Sequence, residues 1–147
     1  MKFVDEVRIF VQAGHGGRGC VSFRREKYVP RGGPDGGNGG KGGDIVFQAD
    51  RHLATLLDFR YRPRHLAPKG GDGEGGNRTG RNGEDIIISV PVGTMIKNAD
   101  TMEIMADLTG HGERFIAARG GIGGKGNAHF ATATHRTPRF AQEGMPG

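Results

Sequence analysis

Short runs of alternating apolar and polar residues are separated, along this chain, by stretches that carry almost no side chains. Val7, Ile9, Val11 and Ala13 alternate with Arg8, Phe10 and Gln12. That is the period-two pattern of a strand with one apolar face, and it predicts a strand over about 3–13. Further strands are expected at about 44–49 (DIVFQA), 85–91 (DIIISVP, which reads as a buried strand), 93–98, 102–108 and 114–119 (RFIAAR). The 93–98 and 102–108 runs read as a hairpin across Ala99 and Asp100. A helical turn over Arg51–Asp58 would place Leu53, Leu56 and Leu57 on one face. Pro63 and Pro68 exclude regular helix from FRYRPRHLAPK, residues 59–69.

Between these runs lie four glycine blocks: GHGGRG at 14–19, GGPDGGNGGKGG at 32–43, GGDGEGGNRTGRNG at 70–83 and GGIGGKG at 120–126. They hold most of the chain's 29 glycines. The second reads GGN-GGK-GG from Gly36, and the fourth repeats it as GGI-GGK-G. Period three belongs to polyproline II, a left-handed helix rising about 3.1 Å per residue with no internal hydrogen bonds. Its free N–H and C=O groups must bond to neighbouring segments or to water. Segments can approach closely enough only where facing positions lack side chains, which gives a structural role to Gly36, Gly37, Gly39, Gly40, Gly42, Gly43, Gly120, Gly121, Gly123 and Gly124. The competing reading is a flexible linker. Serine, the usual companion of glycine in such linkers, occurs only at Ser22 and Ser89, and a strand-like run borders every block. The expected fold is mainly β: a small β-barrel or sandwich with a projecting glycine-rich bundle of left-handed polyproline-II helices. It would form one domain over 1–147, with arms at about 14–43, 62–83 and 120–139.

Composition adds limits. The length suits one domain, and glycine has replaced side-chain bulk, so the apolar core is modest. Net charge is +5, moderate for a polyanion binder. A lone cysteine, Cys20, excludes an internal disulfide and a Cys-rich zinc site. Asp5 and Glu6 spoil a signal peptide, and no apolar run nears the ~20 residues of a membrane span. A soluble, cytoplasmic protein is expected.

Catalytic and nucleotide-binding constellations do not emerge. The phosphate-loop pattern needs Gly, four residues, then Gly-Lys-Ser/Thr. At Gly40-Lys41 the outer positions are Asp35 and Gly42; at Gly124-Lys125 they are Arg119 and Gly126. The GxGxxG match at Gly14, Gly16 and Gly19 lacks a surrounding βαβ unit. The six histidines show no three-ligand spacing, so no metal site is expected.

The basic residues are the stronger lead. Mixed cations and aromatics serve RNA binding, cations for phosphates and flat groups for unstacked bases. Legs that run out and back would place intervening residues at the tips. These are Arg24, Arg25, Lys27, Tyr28 and Arg31 between the first two blocks, Arg78 and Arg81 within the third, and His129, His135, Arg136 and Arg139 after the fourth. The run Phe59, Arg60, Tyr61, Arg62, Arg64 has the same character, or is a core edge with solvated arginines.

The stretches MKFVDEVRIFVQAGHGGRGCVSFRREKYVPRGGPDGGNGGKGGDI, TLLDFRYRPRHLAPKGGDGEGGNRTGRNGEDIIISVPVGTMI and FIAARGGIGGKGNAHFATATHRTPRFAQEGMPG resemble, in order and over essentially the whole chain, the N-terminal domain of the bacterial Obg GTPases. The resemblance implies a polyproline-II bundle on a small β-barrel, followed in the full-length proteins by a Ras-like domain that binds GTP or GDP with Mg²⁺ and hydrolyses GTP slowly. It implies the large ribosomal subunit and its rRNA as partner, in subunit assembly, with stress-response regulatory proteins and the stringent response as further links. In that family the arms are expected to dock at the peptidyl-transferase region. The chain stops at Gly147, before any GTPase motif, so no GTP hydrolysis and no cofactor are expected of it. The alternative is a protein-interaction module for a regulatory partner or the following GTPase domain.

Overall fold

The structure, a computed structural model, describes residues 6–21, 33–127 and 143–147. It is mainly β with almost no helix: β1 (Phe10–Gln12), β2 (Ile45–Asp50), α1 (Asp58–Tyr61), β3 (Arg64–Leu66), β4 (Ile86–Pro91), β5 (Thr94–Lys97), β6 (Ile104–Leu108) and β7 (Arg114–Ala118). Contacts divide the chain into two compact units. The first comprises Met1–Gln12, Ile45–Leu66 and Ile86–Ala118; the second comprises Ala13–Asp44, Ala67–Asp85 and Arg119–Gly147.

The first unit holds three small sheets and, among the described residues, no closed barrel. In the largest, β2 lies between β4, parallel to it, and β7, antiparallel. Flanked on both edges and buried on both faces, β2 tolerates an unbroken apolar run: Ile45, Val46, Phe47 and Ala49 are all buried. The expectation of a wholly buried 85–91 strand is corrected. Ile88 and Val90 are buried while Ile87 and Ser89 are exposed, because β4 is an edge strand with one face packed. β1 pairs in parallel with β3, Phe10 opposite Arg64. This places a strand inside the 62–83 stretch expected to be an arm. Among the described residues of the run expected over 3–13, only Phe10–Gln12 is strand. The helical turn falls at Asp58–Tyr61 rather than 51–58; Asp58 carries the accepting carbonyl for the Arg62 N–H, and Pro63 stops it. β5 and β6 form a hairpin whose loop is longer than two residues: Asn98 Oδ1 accepts the N–H groups of Asp100 and Thr101, and Met102 takes a left-handed φ of 61°.

The second unit is the glycine bundle. Hydrogen bonds tie its legs at every third residue. Gly14, Gly17 and Cys20 donate to Gly43, Gly40 and Gly37; Gly37, Gly40 and Gly43 donate to Glu74, Gly71 and Pro68. Gly39 and Gly42 donate to Gly124 and Gly121, and Gly121, Gly124 and Asn127 donate to Gly14, Gly17 and Cys20. Asn77, Gly80 and Gly83 close the far side by donating to Asp35, Asn38 and Lys41. The 36–44 leg is thereby bonded to four others. These links replace the internal hydrogen bonds that a polyproline II helix lacks. No helix of the described residues is long and apolar enough to cross a membrane.

Candidate nucleic-acid interface

Glycine in the bundle is needed for space. Positive φ occurs there only at Gly76 among the described glycines, in the turn joining 67–75 to 77–85. Where legs face one another a Cβ would strike backbone: on Gly36 the Cys20 carbonyl, on Gly39 that of Gly17, on Gly42 that of Gly14, on Gly120 that of Gly42 and on Gly123 that of Gly39, all closer than 3.0 Å. Gly37, Gly40, Gly43 and Gly121 meet the carbonyls of Arg78, Arg81, Glu84 and Met145 in the same way.

On the 14–20, 36–43 and 120–126 legs two positions of each triplet are thus closed to side chains and the third faces outward; on the 77–85 leg only Gly80 and Gly83 are closed and two positions of each triplet carry side chains. His15, Arg18 and Val21 are exposed on one leg, Arg78, Arg81 and Glu84 on another, and Arg119, Ile122 and Lys125 on a third. Successive side chains on one leg stand about 9 Å apart, three rises of the helix. Several third positions instead carry short acceptors that serve the lattice. Asp72 accepts the Arg18 N–H, Asn82 that of Lys41, Asp85 that of Asp44, and Asn38 that of Gly126. Asn127, fully buried, presents Oδ1 to the Gly36 N–H at 2.7 Å, where a carbonyl would continue the series.

Ion pairs decorate this surface: Arg18 with Glu143, Lys41 with Asp44, Lys69 with Asp72 and Arg78 with Glu74. For Asp44, burial pushes the carboxyl up, but the Lys41 ammonium, the Gly120 N–H and the charges of Lys41 and Arg119 outweigh it, leaving the group below its ordinary value. The Arg18 N–H, with Lys69 beyond it, holds Asp72 below its ordinary value. Asp35 is also buried: Oδ2 accepts the Gly76 N–H, while Oδ1 has no hydrogen-bond partner among the described residues.

Of the residues predicted at tips, Arg24, Arg25, Lys27, Tyr28, Arg31, His129, His135, Arg136 and Arg139 lie outside the described residues. Arg78 stands beside the 74–78 turn, bridged to Glu74, and Arg81 stands one repeat back along its leg. Sequence reasoning missed Arg18, Lys41, Arg119 and Lys125 as surface cations. Reading the phase of each glycine repeat would have found them.

The two Gly-Lys sequences do not fit a nucleotide phosphate. The N–H groups of Gly40, Lys41, Gly42 and Gly43 donate to Gly71, Asn82, Gly121 and Pro68, and the Lys41 ammonium bonds to Asp44. The Gly124 and Gly126 N–H groups donate to Gly17 and Asn38. A phosphate loop needs such groups turned toward the ligand. Among the described residues no cluster of three His, Cys, Asp or Glu side chains could hold a metal ion.

The GTP1/OBG family model matches residues 4–147. Relatives named GTPase Obg align with the whole chain: one from Syntrophus aciditrophicus (strain SB) at 60% identity, one from Desulfatibacillum aliphaticivorans at 61% and one from Pelodictyon phaeoclathratiforme (strain DSM 5477 / BU-1) at 56%. The chain spans 43–44% of the length of these relatives. With its β-rich unit and glycine bundle, the chain belongs to the GTP1/OBG family.

Proposed function

We propose that this domain docks on the rRNA of the large ribosomal subunit, as part of an Obg-type GTPase that acts in subunit assembly and in growth and stress control. The observation that carries the reading is the bundle itself. Legs locked backbone to backbone make a thin, stiff body whose outward positions include the exposed cations Arg18, Lys41, Arg78, Arg81, Arg119 and Lys125. Phosphate contact is the role of Arg24, Arg25, Lys27, Arg31, Arg78, Arg81, Arg136 and Arg139, with Tyr28 and His135 against bases. GTP or GDP and Mg²⁺ belong, on this reading, to the part of the relatives that this chain does not span, and the domain itself performs no hydrolysis. It works in the cytoplasm.

Co-sedimentation of the chain with purified large subunits across a salt series tests this. Saturable binding should weaken with a log–log slope of roughly −0.7 per phosphate contact. Absence of binding at low salt would refute it. A second reading, a protein partner such as a stress-response regulator, is favoured by the exposed Met95, Met102, Ile104 and Met105 of the β5–β6 hairpin, since Met suits adaptable apolar contacts. Salt-insensitive binding lost on Met105→Glu would select it.

A further inference from the structure

We infer that the β-rich unit carries its own binding surface for single-stranded nucleic acid, built on Tyr61, Arg62 and Arg64 and separate from the glycine bundle. The run FRYRPR admits two readings by sequence, core edge or RNA platform, and the structure separates them. Phe59 is the half-buried member, packed edge-on against His65. Tyr61 is 77% exposed and Arg60, Arg62 and Arg64 are all exposed. Tyr61 is thus a flat ring held in water, which costs burial and calls for a partner that stacks.

The surroundings suit a nucleotide strand. Arg62, Pro63, Arg64, His65, Leu66 and Ile86 line an open groove of ≈ 490 Å³, within the range typical of small-molecule sites. Its lining joins aliphatic surface, from Pro63, Leu66 and Ile86, to the cations Arg62 and Arg64. Among the described residues none of Arg60, Arg62 or Arg64 has a carboxylate within salt-bridge distance, so their charge is available to phosphates. Arg64 lies over the Phe10 ring at 5.1 Å from its centroid, which pre-orders the guanidinium plane and offers a second stacking surface, since Phe10 is half exposed. The loop is fixed by the backbone. The Phe10 N–H donates to the Pro63 carbonyl at 2.7 Å, and His65 Nε2 lies 2.9 Å from the Arg62 carbonyl. An exposed aromatic ring beside arginines that, among the described residues, have no carboxylate partner is the arrangement by which single-strand binders hold successive bases without reading sequence.

The surface does not depend on ribosome docking, and its test uses a free strand. A fluorescently labelled oligouridine about ten nucleotides long, within the site sizes of single-strand binders, is titrated against the whole chain by anisotropy. Tyr61→Ala should weaken binding about tenfold, the loss of one stacked base, and Tyr61→Phe should retain it. Arg62→Glu should weaken binding and flatten the salt slope by roughly 0.7 or more. Both positions are exposed, so melting temperatures should match the parent, and only variants that do so are scored. The inference is overturned if the chain does not bind the strand at low salt. It is also overturned if Tyr61→Ala and Arg62→Glu leave affinity unchanged, or if polyglutamate, a polyanion without bases, binds as tightly as the strand. Loss confined to an Arg78→Glu, Arg81→Glu variant would assign binding to the bundle and equally overturn it.

Discussion

Replacing Gly40 with alanine isolates what holds the bundle together. Gly40 is buried; its N–H donates to Gly71 at 2.8 Å and its carbonyl accepts from Gly17 at 2.8 Å. A Cβ there would stand 2.6 Å from the Arg81 carbonyl carbon and 2.7 Å from the Gly80 oxygen, with the Arg81 oxygen closer still. All three atoms are backbone, so no side chain can swing aside. Ordinary contact requires the 36–44 leg to retreat by about 1 Å, which carries both hydrogen bonds past useful length. Two such bonds contribute about 0.5–1.5 kcal/mol each, and overpacking costs about 1–3 kcal/mol. Reduced unfolded-chain entropy returns about 0.4–1 kcal/mol. The net loss is roughly 3 kcal/mol, or about 12 °C in Tm for a domain of this size. Gly33→Ala is the control: among the described residues nothing lies within 4 Å of its Cβ position, and its φ is not positive, so it should be neutral or slightly stabilising. Thermal melts followed by circular dichroism decide. A Gly40→Ala melt within about 3 °C of the parent, or an equal fall for Gly33→Ala, would refute the steric lattice.

Asn127→Ala leaves the Gly36 N–H without an acceptor in a fully buried site and should cost about 1–3 kcal/mol, read by urea denaturation. Asp44 and Asp72 are held below their ordinary values, so the stability they confer is complete above about pH 4 and lost as pH falls through their lowered folded values. Melting temperature should hold from neutral pH to about pH 5 and drop below pH 4, and Asp44→Asn should shrink that drop. Arg81→Glu should weaken co-sedimentation with large subunits at constant Tm, since the side chain is exposed and, among the described residues, makes no ion pair; a parallel fall in both would make Arg81 structural.

The glycine bundle was legible because it is periodic. Two vacant positions in three, repeated as GGN-GGK-GG and GGI-GGK-G, state that the legs touch through those positions. Which leg touches which was not legible, because every leg presents the same backbone. The parallel pairing of Phe10–Gln12 with Arg64–Leu66 joins segments 54 residues apart, and Arg64–Leu66 is bounded by prolines that mask it as irregular. The acceptors Asn82, Asp85 and Asn127 read locally as turn residues; their role appears only when a neighbouring leg supplies an unpaired N–H. The one-face burial of 86–91 escaped notice because three consecutive isoleucines conceal the alternation that places Ile87 outside and Ile88 inside.

The lattice separates cohesion from surface charge. A conventional core joins the two, since a side chain that packs also shapes the surface above it. Here cohesion comes from main-chain groups, which are the same whatever the sequence, and from glycine at the inward positions, two of each triplet on the 14–20, 36–43 and 120–126 legs and one on the 77–85 leg. The remaining positions then divide by side-chain length. Short acceptors such as Asp72, Asn82 and Asp85 reach only to the next leg and cap its leftover donors. Long cations such as Arg18, Arg81 and Lys125 extend past the backbone, outward from the bundle. Their charge can therefore change without disturbing the bonds beneath, while a single methyl group at Gly40 cannot be accommodated. A body built this way can be stiff and slender at once. It needs no apolar interior to set its thickness, because its thickness is set by the hydrogen-bond distance between legs.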